Sequence, residues 1–167
     1  MTTMIGSLAM ALRTGGNALP RGQDAPAVAG VPTVRLGDRR ILPSLADDDR
    51  LEYLLPPCDA LFIDSHATSP AVLRPGDTDR RYLGVAICRI RVRNLSQSAE
   101  IALDNPALGD RWWGIETRDA LAYRWTDGHA ALTLPEGMRR GAILELTLCG
   151  RAPDPEDAQP QPGGRNP

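Results

Sequence analysis

One stretch of this chain concentrates side chains that could bind or transform a ligand. The 167-residue sequence contains one Phe, three Tyr and three Trp, and all three Trp lie within positions 112–125. Indole rings pack against the apolar faces of sugars, while carboxylates and guanidinium groups hydrogen-bond the hydroxyls. These residue types predict a carbohydrate-binding platform, for which the candidate ligand-binding residues are Trp112, Trp113, Glu116, Arg124, Trp125 and Asp127.

Two carboxylates in this stretch could also serve a glycosidase. Such an enzyme needs two carboxyl groups about 5 to 9.5 Å apart across a cleft. Glu116 and Asp127 are the pair to nominate as catalytic residues of a small glycan-active hydrolase. The run Asp64-Ser65-His66 contains the residue types of a hydrolase triad, but triad members converge from separate elements, so a loop role for His66 is favoured.

Turn chemistry supports a structural interpretation of the same cluster. Asp127-Gly128 is a typical hairpin turn, and it lies between two runs of strand-forming residues. On this interpretation Trp125 points into the core and Arg124 pairs with Glu116. The sequence therefore favours a non-catalytic accessory or interaction module, with carbohydrate as the ligand to test. A glycan-active hydrolase and a structural subunit of an oligomer are the alternatives.

Metal and cofactor chemistry has little support in the sequence. Cys58, Cys88 and Cys149 are odd in number and form no CxxC pair, and two histidines cannot complete a zinc site of usual spacing. We interpret them as free thiols, with one disulfide plus one free thiol as the alternative. Asp77 and Asp79 could hold calcium, but neighbouring arginines would repel a cation, so Asp–Arg pairing is favoured. No metal and no cofactor are predicted.

The composition argues against several classes of partner. A formal net charge of −2 at pH 7 provides no strong field for nucleic acid or an anionic membrane. The chain contains no Lys, so every basic residue is an Arg, whose planar fork suits carboxylates and aromatic faces. We expect a glycan or a protein as the partner and no nucleic acid. The sequence leaves the oligomeric state open.

The elements that must position these residues read as short strands. Gly37-Asp38 predicts a hairpin between 33–36 and 39–42. In the run 82–93, apolar and arginine residues alternate, so one face should pack inward while the other meets water or an acidic partner strand. The predicted inward residues are Ala86, Cys88, Ile90 and Val92, and the outward ones are Arg89, Arg91 and Arg93. Eight or nine such strands predict an all-β fold, an antiparallel, jelly-roll-like β-sandwich.

The two ends differ in composition from the central domain. Residues 1–31 predict a short helix or flexible head followed by a linker, without the pattern of a signal peptide or a membrane span. Residues 32–150 form the predicted sandwich. Residues 151–167 are dense in Pro, Gly, Gln and Asp and predict a disordered tail. A cytoplasmic location is favoured on these grounds.

Several blocks of the domain resemble a known family. Residues 36–43 resemble the LVDGRRLAP opening of a β-rich domain in many alphaproteobacterial proteins, 79–86 its D-x-R-x-L-G-V-A block, and 103–109 its LDDPRLG turn. Residues 112–128 are similar to its G-W-H-x-x-E motif followed by W-R-W-T-D-G. That domain lies at the C-terminal end of Hint (hedgehog/intein-like) proteins, and related modules occur in proteins tied to bacterial glycan assembly.

The resemblance covers residues 33–149 and implies a β-rich fold in a bacterial surface-glycan context. No Hint domain is expected here, because no nucleophilic Cys begins a β-fold and neither His lies in a Thr-x-x-His block. Self-splicing and cholesterol-transfer chemistry are therefore not implied. Trp113 also stands where the family has His after Trp, which alters any site that used that His.

Overall fold

Turn residues divide the chain into short strands. The computed structural model describes residues 30–152, so the predicted head and disordered tail lie outside the described residues except at 30–31 and 151–152. The strands are β1 (Thr33–Leu36), β2 (Arg39–Ile41), β3 (Leu45–Asp47), β4 (Arg50–Leu55), β5 (Ala60–Asp64), β6 (Val85–Arg93), β7 (Ser98–Ile101), β8 (Trp112–Arg118), β9 (Leu121–Thr126), β10 (His129–Thr133) and β11 (Ala142–Arg151). The helix α1 (Pro70–Leu73) and a 3-10 turn at Glu136–Met138 complete the described elements, and no helix in this range is long and apolar enough to cross a membrane.

The strands form two antiparallel sheets. The smaller sheet has the order β10-β5-β1-β2, and the larger has the order β3-β4-β11-β6-β9-β8, with β7 also paired to β6. The predicted hairpin at Gly37-Asp38 is confirmed, since Leu36 pairs with Arg39 and Val34 with Ile41. The prediction of an all-β sandwich is also confirmed. Residues 30–152 contain eleven strands, where the sequence predicted eight or nine, and β3 and β8 were not predicted.

The core lies between the two sheets. Residues two apart on a strand project to the same face, so each sheet turns a row of aliphatic side chains toward the other. These rows merge into a single buried cluster, which also includes Trp112. Burying such side chains is the main favourable contribution to folding. Examples are Val34, Ile63 and Leu132 from the smaller sheet and Tyr53, Ile90 and Leu146 from the larger.

The β6–β11 ladder contains two register shifts, one between Thr147 and Leu148 and one between Leu148 and Gly150. The first shift leaves Cys88 of β6 without a partner and the second leaves Cys149 of β11 without one, so the alternation of each strand is reversed once. Ile87 therefore enters the core, with no exposed surface, while Ala86 borders the outer face of the sheet. The prediction that Ala86 continues the inward row of Ile90 was wrong, because strict alternation does not survive a bulge.

The turn at Asp127-Gly128 joins the two sheets. β9 belongs to the larger sheet and β10 to the smaller, so the predicted hairpin at this turn was wrong. Gly128 has φ +104°, and a Cβ there would lie 2.9 Å from Ala67 Cβ. Asp127 Oδ1 accepts a hydrogen bond of 3.0 Å from the His129 amide. The dipeptide thus determines a local turn, while long-range pairing determines which strand follows.

Arginines on the outer face of β6 pair with glutamates of neighbouring strands. Arg93 donates to Glu145 on β11 and, at 3.2 Å, to Glu52 on β4. Arg89 donates to Glu100 on β7 at 2.7 Å. The predicted acidic partner strand is therefore present. Burial would raise the pKa of Glu145, but the hydrogen bond from Arg93 and the charges of nearby arginines outweigh it and hold that pKa below its usual value.

We expect Glu145→Gln to lower the free energy of unfolding by about 1 kcal/mol at neutral pH, because Arg93 loses a charged partner on a partly solvated face. The lowered pKa means that this contribution is complete above the usual value of 4.5 and is lost as the pH falls through the folded-state pKa. Denaturant melts at neutral and acidic pH measure the difference. Glu100→Gln is the control, because its carboxylate is 57% exposed. An equal loss for both variants would contradict this account.

Candidate functional site

A cleft opens on the outer face of the larger sheet, beside the strands that carry the aromatic cluster. Tyr123 and Trp125 of β9 and Cys149 and Gly150 of β11 form its floor. Residues from α1 and the loop 74–81 form one wall, and the β8–β9 hairpin over 116–121 forms the other. The cavity measures about 710 Å³, which lies within the usual range for small-molecule sites.

The aromatic floor follows from strand alternation and one glycine. Tyr123 and Trp125 are two residues apart on β9, so they project to the same face. Their rings meet edge to face, with centroids 6.4 Å apart and an interplanar angle of 84°. A Cβ at Gly150 would stand 3.3 Å from Trp125 Cη2. The absence of a side chain at Gly150 therefore leaves room for the indole ring against the sheet.

A chain of hydrogen bonds joins the floor to both walls. Tyr123 Oη donates to Glu116 Oε2 at 3.1 Å. Glu116 Oε1 accepts from Arg81 Nη1 at 2.7 Å, and Arg81 Nη2 donates to Asp79 Oδ2 at 2.7 Å. Arg81 thus bridges a carboxylate from each wall, and charge-assisted bonds of this kind fix geometry well. The predicted Asp–Arg pairing in this loop is confirmed by the Asp79–Arg81 contact.

The loop wall is also held by contacts behind Arg81. Trp113 Nε1 donates to Tyr82 O at 2.8 Å, and the Arg81 guanidinium lies 5.7 Å from the centre of the Trp113 ring. Ser69 Oγ donates to Asp79 O at 3.0 Å. Trp113 therefore lies behind the loop wall and stabilises the segment that carries Arg81.

Hydrogen bonds across the cleft shift the pKa values of Asp79, Arg81 and Tyr123. The hydrogen bonds from Arg81 lower the pKa of Asp79, and those to Asp79 and Glu116 raise the pKa of Arg81. Burial, followed by the bond to Glu116, raises the pKa of Tyr123. The Tyr123 hydroxyl consequently stays protonated at neutral pH and donates to Glu116.

The three cysteines are free thiols, and one of them lies in the floor. Burial, followed by the effect of Cys88, raises the pKa of Cys149 to about 11. Cys149 Sγ donates to Ala86 O at 3.7 Å. Burial also raises the pKa of Cys58. A thiol with a raised pKa is a poor nucleophile, so Cys149 contributes to the floor as a small, neutral side chain.

The three tryptophans take three different places. Trp125 lines the cleft, as its choice as a candidate ligand-binding residue expects, whereas the structural interpretation of the cluster placed it in the core. Trp112 is the core tryptophan, 9% exposed, and its Nε1 donates to Ala131 O at 2.7 Å. A register shift in β8 between Trp112 and Ile115 lies between the core residue Trp112 and Glu116, which lines the cleft. The inward prediction for Trp125 was therefore wrong, because turn chemistry does not reveal which face of the strand is buried.

The polar residues of the predicted site are also divided. Glu116 lines the cleft, where it pairs with Arg81. The predicted pairing of Glu116 with Arg124 was wrong. Arg124 donates to the carbonyl oxygens of Leu103 and Trp113, and its guanidinium lies 6.0 Å from the centre of the Trp112 ring. Asp127 lies at the turn between the sheets, 3.4 Å from Arg111. The nominated catalytic pair, Glu116 and Asp127, therefore does not share the cleft.

Several residues that line the cleft were not predicted from the sequence. Tyr123 could have been found, since strand alternation places it with Trp125. Arg81 and Arg151 lie far from the cluster in sequence and carry no local signal. Gly150 interrupts an apolar strand, which is a known mark of close approach by another group. The cleft combines five segments of the chain, and only two of them contain the aromatic motif.

The triad-like run at 64–66 does not assemble. Asp64 accepts from Arg35 Nε at 2.6 Å and contacts His129 Nδ1 at 3.1 Å. Ser65 Oγ has no hydrogen-bond partner within the described range, and His66 is exposed. Over residues 30–152, no three His, Cys, Asp or Glu side chains are grouped as metal ligands. The cleft is thus the strongest candidate site in this part of the chain.

Comparisons of the chain with protein families, with curated proteins and with solved structures found no match in any of the three.

We expect Arg81→Ala to loosen the loop wall, because it removes the bridge from Asp79 to Glu116. Amide hydrogen exchange over 68–83 should become roughly tenfold faster, while exchange in the core strands stays unchanged. Arg80→Ala is the matched control, since Arg80 forms no ion pair with residues 30–152. Exchange that responds equally to both substitutions would contradict the role of Arg81.

Proposed function

We propose that this protein is a non-catalytic carbohydrate-binding module and that the cleft is its binding site. The observation that carries the proposal is the floor formed by Tyr123 and Trp125, flanked on both walls by fixed polar groups. Aromatic faces accept the apolar faces of sugar rings, and charged groups at the edge accept or donate hydrogen bonds to the hydroxyls.

The indole groups support the choice of Trp125 as the stacking residue. The Nε1–H groups of Trp112 and Trp113 are bonded to backbone carbonyls. No protein acceptor for the Trp125 Nε1–H lies within residues 30–152. Trp125 can therefore present both an apolar surface and a hydrogen-bond donor, a combination that favours an amphipathic ligand such as a sugar.

The carboxylates of the cleft suit binding better than hydrolysis. A glycosidase needs a carboxyl group with a raised pKa to act as the general acid. Arg81 contacts both Asp79 and Glu116, and the pKa of Asp79 lies below its usual value. Asp127 lies outside the cleft. The resemblance of residues 33–149 to the β-rich domain of Hint proteins, which has related modules in proteins tied to bacterial glycan assembly, supports the same class of ligand.

We expect Trp125→Ala to weaken glycan binding by about tenfold or more, because the stacking surface is lost. A glycan array, followed by titration calorimetry on the best ligand, measures the effect. Phe62→Ala is the matched control, since Phe62 is a partly exposed aromatic residue of the smaller sheet. Thermal melts of both variants should show that the fold is retained.

Two outcomes would contradict the proposal. The absence of binding across the array would remove carbohydrate as the ligand and leave a role in protein interaction or in an oligomer. Cleavage of a bound glycan by the wild-type protein, abolished by Glu116→Gln, would show a hydrolase. Binding that Glu116→Gln weakens, without any turnover in the wild type, agrees with the non-catalytic proposal.

A further inference from the structure

We propose that the ligand of the cleft is an acidic saccharide, whose sugar rings carry carboxylate groups; this inference rests on the carbohydrate-binding function proposed above. Arg74, Arg118 and Arg151 line the cleft. Within residues 30–152, none of the three forms an ion pair with a carboxylate. Guanidinium groups bind carboxylates through paired N–H donors, so unpaired arginines at the cleft point to a ligand that carries a carboxylate.

Arg118 lies at the edge of the aromatic floor. It is the last residue of β8, and its guanidinium lies 5.9 Å from the centre of the Tyr123 ring. A cation–π contact at this distance holds the group in place without neutralising its charge. Its side chain donates no hydrogen bond to residues 30–152, so its donors remain available to a ligand on the floor.

Arg151 follows Gly150 on β11 at the margin of the cleft. Its cross-strand partner is the core residue Val85, so the Arg151 side chain leaves β11 on the face opposite to the floor. Its Nη2 donates to Asp48 O at 2.7 Å, a backbone carbonyl without formal charge. The bond fixes the guanidinium but leaves its positive charge unbalanced and most of its donors unused. Arg118 is therefore the unpaired arginine that is positioned beside the floor before a ligand arrives, which reduces the entropy that binding must overcome.

Two of the four carboxylates that line the cleft are paired with an arginine, since Arg81 contacts both Asp79 and Glu116. Asp77 Oδ1 accepts a hydrogen bond from the Asp79 amide at 2.9 Å. Asp119 lies at the exposed tip of the β8–β9 hairpin and forms no ion pair with residues 30–152. A carboxylated sugar on the floor would meet unpaired guanidinium groups, whereas a neutral sugar would cover those charges without pairing them. Leaving a charged donor desolvated and unpaired is unfavourable, so the cleft should select against neutral sugars.

Titration calorimetry on the full chain tests this inference with oligogalacturonate, oligosialate, the carboxyl-reduced forms of both, neutral galactan oligosaccharides and oligoglutamate. At least one acidic oligosaccharide should bind about tenfold or more tightly than its carboxyl-reduced form, which has the same rings without the charge. Arg118→Gln should remove most of this difference. Arg39→Gln, at an exposed arginine of β2 outside the cleft, should leave it unchanged.

Each contrary result separates the two proposals. Equal affinity for the acidic and reduced forms would overturn the acidic ligand and leave carbohydrate binding in place. Absence of binding to the acidic saccharides would overturn the acidic ligand, and absence of binding across the glycan array as well would overturn both. If oligoglutamate binds as tightly as the acidic saccharides, the preference comes from charge alone and not from the sugar, and the inference is overturned. A preference that survives in the Arg118→Gln protein would overturn the assignment of the carboxylate to this arginine.

Discussion

The cleft depends on the two register shifts in the β6–β11 ladder. Strict alternation from Ile90 would turn Ala86 inward and Ile87 outward. The shift at Cys88 reverses both, so Ile87 fills the core, and the shift at Cys149 brings Gly150 beside Ala86 beneath the Trp125 ring. The same strand pair therefore supports the core with its inner face and the floor of the cleft with its outer face.

Arginine performs two distinct tasks on the outer face of this sheet. Along β6, Arg93 and its neighbours pair with glutamates such as Glu145, which compensates the charge of the face. At the cleft, Arg81 ties the two walls together, whereas Arg118 and Arg151 are positioned by uncharged groups. Arg89, Arg91 and Arg93 of β6 each pair with a glutamate, whereas Arg118 of the cleft pairs with no carboxylate in residues 30–152, which distinguishes a structural surface from a surface suited to a ligand.

The sequence predicts the fold class because strand alternation and turn residues are local signals, as the β1–β2 hairpin demonstrates. The candidate site was predicted only in part, since Glu116 and Trp125 line the cleft but Arg124 and Asp127 do not. The error has a physical cause: a bulge reverses the face of a strand, and a turn such as Asp127-Gly128 can lead to a different sheet. Neither event depends on residues near the turn alone, so local patterns could not reveal them.

The central claim is that a ligand stacks on Trp125. The three indole N–H groups give three separate reporters, because those of Trp112 and Trp113 are bonded to Ala131 O and Tyr82 O, while no acceptor for that of Trp125 lies within residues 30–152. The most direct measurement is the chemical shift of each indole N–H as an acidic oligosaccharide is added to ¹⁵N-labelled protein. The account predicts that the Trp125 resonance shifts most and that the Trp112 resonance stays in place. A titration that shifts Trp112 or Trp113 and leaves Trp125 unchanged would contradict it.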